Sequence, residues 1–286
     1  MSAPLLAVDA PSVLFRAYYA LPDSIKGASD QPVNALLGSI NIVLREVLEH
    51  EPRAVVLCFG DDAAEYRVAL FSGYHADRTD PLPETFAPQY EQAPVLYEHF
   101  GWTVADQRGL EADDLLNSFA LSEQRAGGNV LILTGDRDMF QCVGDSCKVL
   151  YLKTGGPQGA EVVDTEEVER RYGVPPTLVP DFIALRGDPS DGIPGARGIG
   201  PKTAAELLTR HGSLEGAIAA RASERPRVAE ALGDEALPAF KEVATLRNVR
   251  VRRQRNRRTN FKNGAKAARV AGMNALAKRL DELAGT

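Results

Sequence analysis

The chain has 286 residues, 44% hydrophobic and 25% charged, the proportions of a soluble globular protein with room for one domain or two. Its formal net charge of -6 hides a division: residues 247–278 contain no Asp or Glu but hold Arg247, Arg250, Arg252, Arg253, Arg255, Arg257, Arg258, Lys262, Lys266, Arg269 and Lys278, so the rest is more acidic than the average says. Three cysteines (Cys58, Cys142, Cys147), with no His at zinc-finger spacing, exclude a disulfide framework, and no apolar run reaches a membrane span of about 18 residues.

The N-terminal MSAPLLAVDA has no basic lead and is interrupted by Asp9, so no signal sequence is expected and the protein should stay in the cytoplasm, a monomer by default. Apolar runs at 5–8, 54–59 and 130–133 alternate with helical patterns at 33–49 and 113–125. This predicts an α/β fold, a mostly parallel buried sheet flanked by helices. Each run ends in acid: Asp9, then Asp61 and Asp62, then Asp136 and Asp138. Ligands of open α/β sheets bind beyond the carboxyl ends of the strands. Residues 62–102 are irregular and rich in proline and aromatics, which suggests a long excursion above that edge. After about Pro175, helical patterns at 177–185, 201–211, 237–246 and 265–283 predict a second, helical region, dividing the chain at 1–175 and 176–286.

Glu111, Asp113 and Asp114 open a helix, where acids ordinarily cap the dipole. Asp136 and Asp138 could likewise be loop or cap residues, and Asp188 and Asp191 turn formers. Asp9 is harder to explain so, because a carboxylate directly after a buried strand is costly unless paired or coordinated. Five segments bring acid to one edge without enough Lys or Arg to neutralise it. Hard oxygen ligands in such excess suit two Mg²⁺ or Mn²⁺ ions, a standard arrangement for phosphodiester cleavage.

Residues 187–208, GDPSDGIPGARGIGPKTAAELL, join two of these acids to a glycine hairpin opening onto a helix. The spacing from Gly195 to Gly200, Lys202 and Thr203 approaches a P-loop, but Pro201 stands where that motif needs Gly, and no buried strand precedes it. The better reading is a helix-hairpin-helix turn. In it the amides around Gly195, Gly198 and Gly200, with Lys202 and Thr203, hold a DNA backbone phosphate. The basic run 247–278 is then a solvated face or an electrostatic footprint for a duplex.

At these motifs the chain resembles the 5′ nuclease family, which includes the N-terminal nuclease domain of bacterial DNA polymerase I, phage 5′ exonucleases and flap endonucleases. The motifs are VDAPSVLFRAYYAL, GLEADDLL, TGDRDMFQ and GDPSDGIPGARGIGPKTA. The resemblance implies a PIN-like nuclease domain and a helix-three-turn-helix at about 187–208. It implies that Asp9, Asp61, Glu111, Asp113, Asp114 and Asp136 serve one metal ion, that Asp138, Asp188 and Asp191 complete the other, and that Asp136 bridges. Asp62 competes with Asp61, since Gly60 stands where many relatives carry Asp. Arg16, Tyr74, His75 and Arg78 are expected at the scissile phosphate, with His75 in the place of a usual lysine. A potassium ion held by carbonyls of the hairpin, and an arch over about 66–97 passing a single-stranded 5′ end, are implied as well. Ala10 for a common Gly and Gly192 for a common Asn are expected to be tolerated.

The function expected is a free-standing, metal-dependent 5′-3′ exonuclease or flap endonuclease on DNA 5′ ends, nicks or flaps, with RNA–DNA hybrids open as a further substrate. Its rivals are a structure-specific DNA-binding protein with lost catalysis and an RNA-cutting PIN enzyme, which leaves residues 187–208 unexplained.

Overall fold

In the strand β1 (Leu5–Asp9) every residue is buried, and the side chains alternate between two cores. Leu5 and Ala7 face one, Leu6 and Val8 the other, as a strand covered on both faces requires. The computed structural model describes residues 3–78, 80–153 and 159–285. Met1 and Ser2 of the N-terminal segment, residue 79 of the 66–97 excursion and Thr286 lie outside them.

The sheet has the order β3-β2-β1-β4-β5-β6, built from β2 (Ala54–Cys58), β3 (Thr103–Ala105), β4 (Val130–Thr134), β5 (Cys147–Tyr151) and β6 (Glu161–Val163). All pairings are parallel except β5 with β6. The three apolar runs of the sequence form its centre, with Leu5 beside Ala54 and Val130. The three-residue β3 and β6, and β5 with the exposed Lys148 in its run, carry no comparable apolar run and are legible only from the pairing.

One face is covered by α1 (Ala10–Ala20), α2 (Asn34–His50) and α4 (Ala87–His99), the other by α5 (Ala112–Arg125) and a helical region. Asp9 caps α1 through Ser12 N, with proline in the first turn. The short α3 (Glu65–Leu70) precedes α4, and α6 (Thr165–Tyr172) leads out of β6. The helical region holds α7 (Val179–Arg186), α8 (Pro201–His211), α9 (Leu214–Ala219), α10 (Pro226–Ala231) and α11 (Leu237–Ala244). No helix among the described residues is long and apolar enough to cross a membrane.

Two expectations are modified. Residues 66–97 do not rise freely from the sheet: Arg67, Tyr74 and Phe86 are buried, and α4 sinks Ala93, Leu96 and Tyr97 into the core. The exposed part is 76–78 and 80–84, apart from the half-buried Pro83. The helical region is also not continuous to the C-terminus. Residues 247–260 carry no helix and run along α5, where Val249 N donates to Ser118 Oγ at 2.9 Å and Arg253 pairs with Glu123 at 2.8 Å. The chain then returns as α12 (Phe261–Val270) and α13 (Asn274–Ala284) to the α2/α4 face, burying Ala265, Ala268, Leu276 and Leu280 there.

Candidate active site

The carboxyl ends of β1, β2 and β4, the first turn of α5 and the turn after α7 surround an open cleft of about 1410 Å³. Asp9, Asp61, Asp62, Glu111, Asp113, Asp136, Asp138, Asp188 and Asp191 all line it. The sheet delivers them because adjacent parallel strands end in register: Asp9 is the last residue of β1, and Asp136 follows β4 by two.

A chain of hydrogen bonds fixes the central acids. Thr134 Oγ1 donates to Asp9 Oδ2 at 2.6 Å and accepts from Asp136 N at 2.9 Å, and Asp138 N donates to Asp136 Oδ1 at 2.8 Å. Ser12 N donates to the other Asp9 oxygen at 3.0 Å. Burial, followed by the charges of Asp191, Asp9 and Asp188, pushes Asp136 up to about 6. Asp113 and Asp138 rise well above the ordinary carboxylate range, first through burial and then through neighbouring acids. Asp113 feels Asp136, Asp9 and Glu111; Asp138 feels Asp136, Asp191, Asp188 and Asp113. The acids thus form one mutually repelling cluster in which Asp136 is the strongest acidic neighbour of both Asp113 and Asp138. Mutual repulsion of this kind is relieved by bound cations.

Glu111 and Asp114 are different. They form a capping box at the start of α5, the ordinary use of acids at a helix N-terminus. Arg67, which the motif reading passed over, lies beneath them. It pairs with Glu111 and, at 3.1 Å, with Asp114 Oδ1. Glu111 also accepts from Ala64 N at 2.8 Å and from Tyr74 OH at 2.8 Å. Asp114 is fully buried and accepts from Tyr66 OH at 2.9 Å, Arg247 N at 2.9 Å and Glu111 N at 3.2 Å. A carboxylate has about four lone-pair positions, and those of Asp114 are engaged by internal donors. Asp61 is exposed at the rim, accepting from Gly109 N at 2.8 Å. Gly60 admits no side chain, since a Cβ there would lie 2.6 Å from backbone atoms of 110–112.

The opposite wall joins the 71–78 turn to the Asp188–Ile193 bridge. His75 stacks on Tyr74 with centroids 3.9 Å apart. Its Nδ1 lies 2.8 Å from the carbonyl of Asp62 and its Nε2 3.0 Å from Asp191 Oδ1. Arg78 reaches the Ser190 carbonyl at 3.1 Å. Burial raises Asp191, but His75 and Arg78 outweigh it and hold this carboxyl below its ordinary value. Asp188 pairs with Arg186 at 2.9 Å and accepts from Ser190 N at 2.9 Å. Gly192 has φ +74, and a Cβ there would lie 2.5 Å from the Gly73 carbonyl. Its bare backbone is therefore what lets the two segments meet, and the common Asn would not fit. On the near side Arg16 crosses Gly135, whose Cβ would meet its Nη2 at 2.6 Å, and donates to the Lys153 carbonyl at 2.6 Å. Its Nε is buried without a partner.

The hairpin glycines divide in two. A Cβ on Gly195 would meet Gly187 N at 2.3 Å, so Gly195 packs the turn; around Gly198 and Gly200 there is nothing within 4 Å. Gly198 has φ +78, but Gly200, the N-cap of α8, has φ -90 and no side-chain cap. Nothing internal requires a glycine at 200. It leaves the amides of Lys202 and Thr203 open at an exposed helix start, the geometry that binds anions.

Thr134, Ser12 and Arg67 are the positioning residues that motif reading missed. Thr134 is signalled by its place at the end of a buried run; Arg67 has no local signal. Among the described residues, Glu46, Glu49 and His50 have ligand atoms within 4.8 Å of one another. They stand at the end of α2 that leads to the amino end of β2, away from the cleft.

Residues 4–173 match the 5′-3′ exonuclease N-terminal resolvase-like domain, and residues 174–267 the 5′-3′ exonuclease C-terminal SAM fold. The chain is 35% identical over 271 residues to a 5′-3′ exonuclease of Mycobacterium tuberculosis, covering 88% of this chain and 84% of that protein. It is 37% identical over 228 residues to a 5′-3′ exonuclease of Streptomyces coelicolor, covering 75% and 74%. Against DNA polymerase I of Mycobacterium leprae it is 36% identical over 229 residues, covering 80% of this chain and spanning 25% of the polymerase. In fold it is similar to T5 5′-exonuclease with bound zinc (TM-score 0.72, 16% identity, covering 98% of this chain and 99% of that one). It also resembles the catalytic core of Rad2 in complex with DNA substrate (TM-score 0.63, 16% identity, covering 98% and 90%). With both domain matches in sequence along the chain and relatives that share most of its length, this protein belongs to the 5′-3′ exonuclease family.

Proposed function

We propose that the chain hydrolyses DNA phosphodiesters at 5′ ends, nicks or flaps with two divalent ions, Mg²⁺ or Mn²⁺, acting in the cytoplasm as a monomer, with RNA–DNA hybrids as a further substrate. The observation that carries this reading is the cluster of mutually repelling acids lining one cleft, in a chain whose hairpin leaves the first amides of α8 open. Asp9, Asp113 and Asp136 would hold one ion, with Glu111 and Asp61 at its edge, and Asp138, Asp188 and Asp191 the other. The donor set fits: buried carboxylate oxygens in excess, mutually repelling, with the neighbouring arginines already committed to individual acids. When bound, such ions supply Lewis acidity to the phosphoryl oxygens and lower the pKa of water.

The chain's own groups do the rest. Gly198, Gly200, Lys202 and Thr203 grip a backbone phosphate without reading sequence, with Gly195 shaping the turn and a potassium ion on the hairpin carbonyls as part of the same grip. Arg16 and Arg78 flank the cleft as cations for the phosphate to be cut, while Tyr74 and His75 hold Glu111 and Asp191 in place. The exposed residues 76–78 and 80–84 form the wall past which a 5′ end runs. The test is product size from labelled nicked, gapped and 5′-flapped duplexes with either ion. Cleavage near the junction is expected; tight flap binding with no product under any ion, pH or salt would instead establish a DNA-binding protein without catalysis.

A further inference from the structure

Between α5 and the segment 247–258 lies a second concavity, of about 440 Å³. Its walls include Ser122 and Arg125 from α5 and Asn248 and Arg250 from the segment. Backbone anchors hold the segment in place: Arg247 N on Asp114 at 2.9 Å, Val249 N on Ser118 at 2.9 Å, and the Gln254 carbonyl on Arg53 at 2.7 Å. Val249 and Val251 pack inward, so Arg250 and Arg252 point outward, as alternation in an extended chain dictates. Among the described residues no hydrogen bond or ion pair engages the side chains of Ser122, Arg125, Asn248, Arg250 or Arg252. No acid lines the groove, and the nearest one, Glu123, is taken by Arg253 at 2.8 Å and by Arg53. Hydroxyl, amide and guanidinium donors therefore converge on a concave surface with nothing of the protein's own to accept from them.

We propose that this groove is a second phosphate site, separate from the hairpin, that holds the sugar–phosphate backbone of a nucleic-acid arm as it leaves the cleft; it rests on the nucleic-acid reading of the cleft above. Ser122 lies eight residues beyond Asp114 on α5, about 12 Å at the helical rise, so one duplex turn of about 34 Å reaches both. Arg252, Arg255 and Arg258 are exposed farther along the same segment and continue its charge. A continuous polyanion uses that whole row, whereas a single phosphorylated side chain would use the groove alone.

The test measures binding of 5′-flap DNA with arms of about 10 and about 30 base pairs, in calcium, across a salt series, by anisotropy. The variant combines Arg125→Ala, Arg250→Ala and Arg252→Ala, and its charge-matched control Lys26→Ala, Lys148→Ala and Arg227→Ala, all at exposed positions. For the long-arm substrate the groove variant should bind about tenfold more weakly, with a slope of log K against log salt smaller by about two. The control should stay within about threefold of the parent chain, and both should melt with it. Equal weakening by both variants, or none by the groove variant, overturns the proposal. So does a groove variant that binds DNA like the parent but loses stabilisation by a multiply phosphorylated peptide. A parent chain that binds long-arm DNA but never cuts it in Mg²⁺ or Mn²⁺ sinks the nuclease reading and leaves the groove standing.

Discussion

His75 Nε2 lies 3.0 Å from Asp191 Oδ1 while its Nδ1 lies 2.8 Å from the Asp62 carbonyl, so one ring ties the turn after α3 to the turn after α7. The residue pays for this position with φ +50, a conformation that costs an ordinary side chain about 1 kcal/mol or more and is tolerated best by Asn. His75→Asn should therefore keep the backbone and melt within about 2 °C of the parent chain, yet lose reach to Asp191 and lower kcat by about tenfold, a loss of about 1.4 kcal/mol. Steady-state kinetics on a 5′-flap substrate beside a thermal melt checks it; unchanged kcat would remove His75 from the positioning apparatus.

The acid cluster gives a pH dependence with a definite sign. Burial pushes the Asp136 carboxyl up to about 6, from an ordinary value of about 3.8. A carboxyl raised on folding binds more protons in the native than in the unfolded state between these values, so its contribution lowers stability as pH rises from about 4 to 6. Divalent ions need the deprotonated cluster. The rise in Tm on adding Mg²⁺ or Mn²⁺ should be several degrees at pH 7.5 and much smaller at pH 5. Calorimetry with and without the ion, at both pH values, decides this; a pH-independent shift would place the ion elsewhere.

Neighbouring acids of α5 should respond in opposite ways. Asp113 is pressed by Asp136 and Asp9, so Asp113→Asn should raise Tm without metal, weaken the metal-induced rise and cut activity by about a hundredfold or more. Asp114 is saturated by internal donors, and Asp114→Asn should lower Tm, leaving Arg67 short of a partner. Arg67→Met strips the charge from beneath both Glu111 and Asp114, and breaking such a buried pair costs about 3–5 kcal/mol, or roughly 6–20 °C in a chain of this size. Melts of the three variants test the division of labour. If Asp114→Asn instead matched Asp113→Asn, Asp114 would belong with the acids that hold the ions.

Glycines of the hairpin separate packing from binding. Gly195→Ala forces a Cβ against Gly187 N and should destabilise by about 1–3 kcal/mol. Gly200→Ala meets open space and should change stability by less than about 1 kcal/mol, while weakening duplex binding several-fold by intruding on the free amides of α8. Chemical denaturation and DNA titration of the two variants measure both quantities.

The amino-acid sequence by itself determined the centre of the sheet and the identity of its acids. Buried parallel strands must be continuous apolar runs, and a carboxylate directly after one has few inexpensive uses, so 5–8, 54–59 and 130–133 were legible together with Asp9 and Asp136. Pro201 and the glycines marked the hairpin for the same local reason: they restrict the backbone wherever they stand. Only the tertiary structure decided which acids carry internal partners. Glu111 and Asp114 read like Asp113 in the chain, yet Arg67, Tyr66 and Tyr74 arrive from a separate segment and bond to them. It also decided the course of residues 247–260, whose charge was visible but whose partners, Ser118, Glu123 and Arg53, are distant in sequence. Ligand availability and charge compensation are properties of what packs against a residue, and a linear chain does not display its packing.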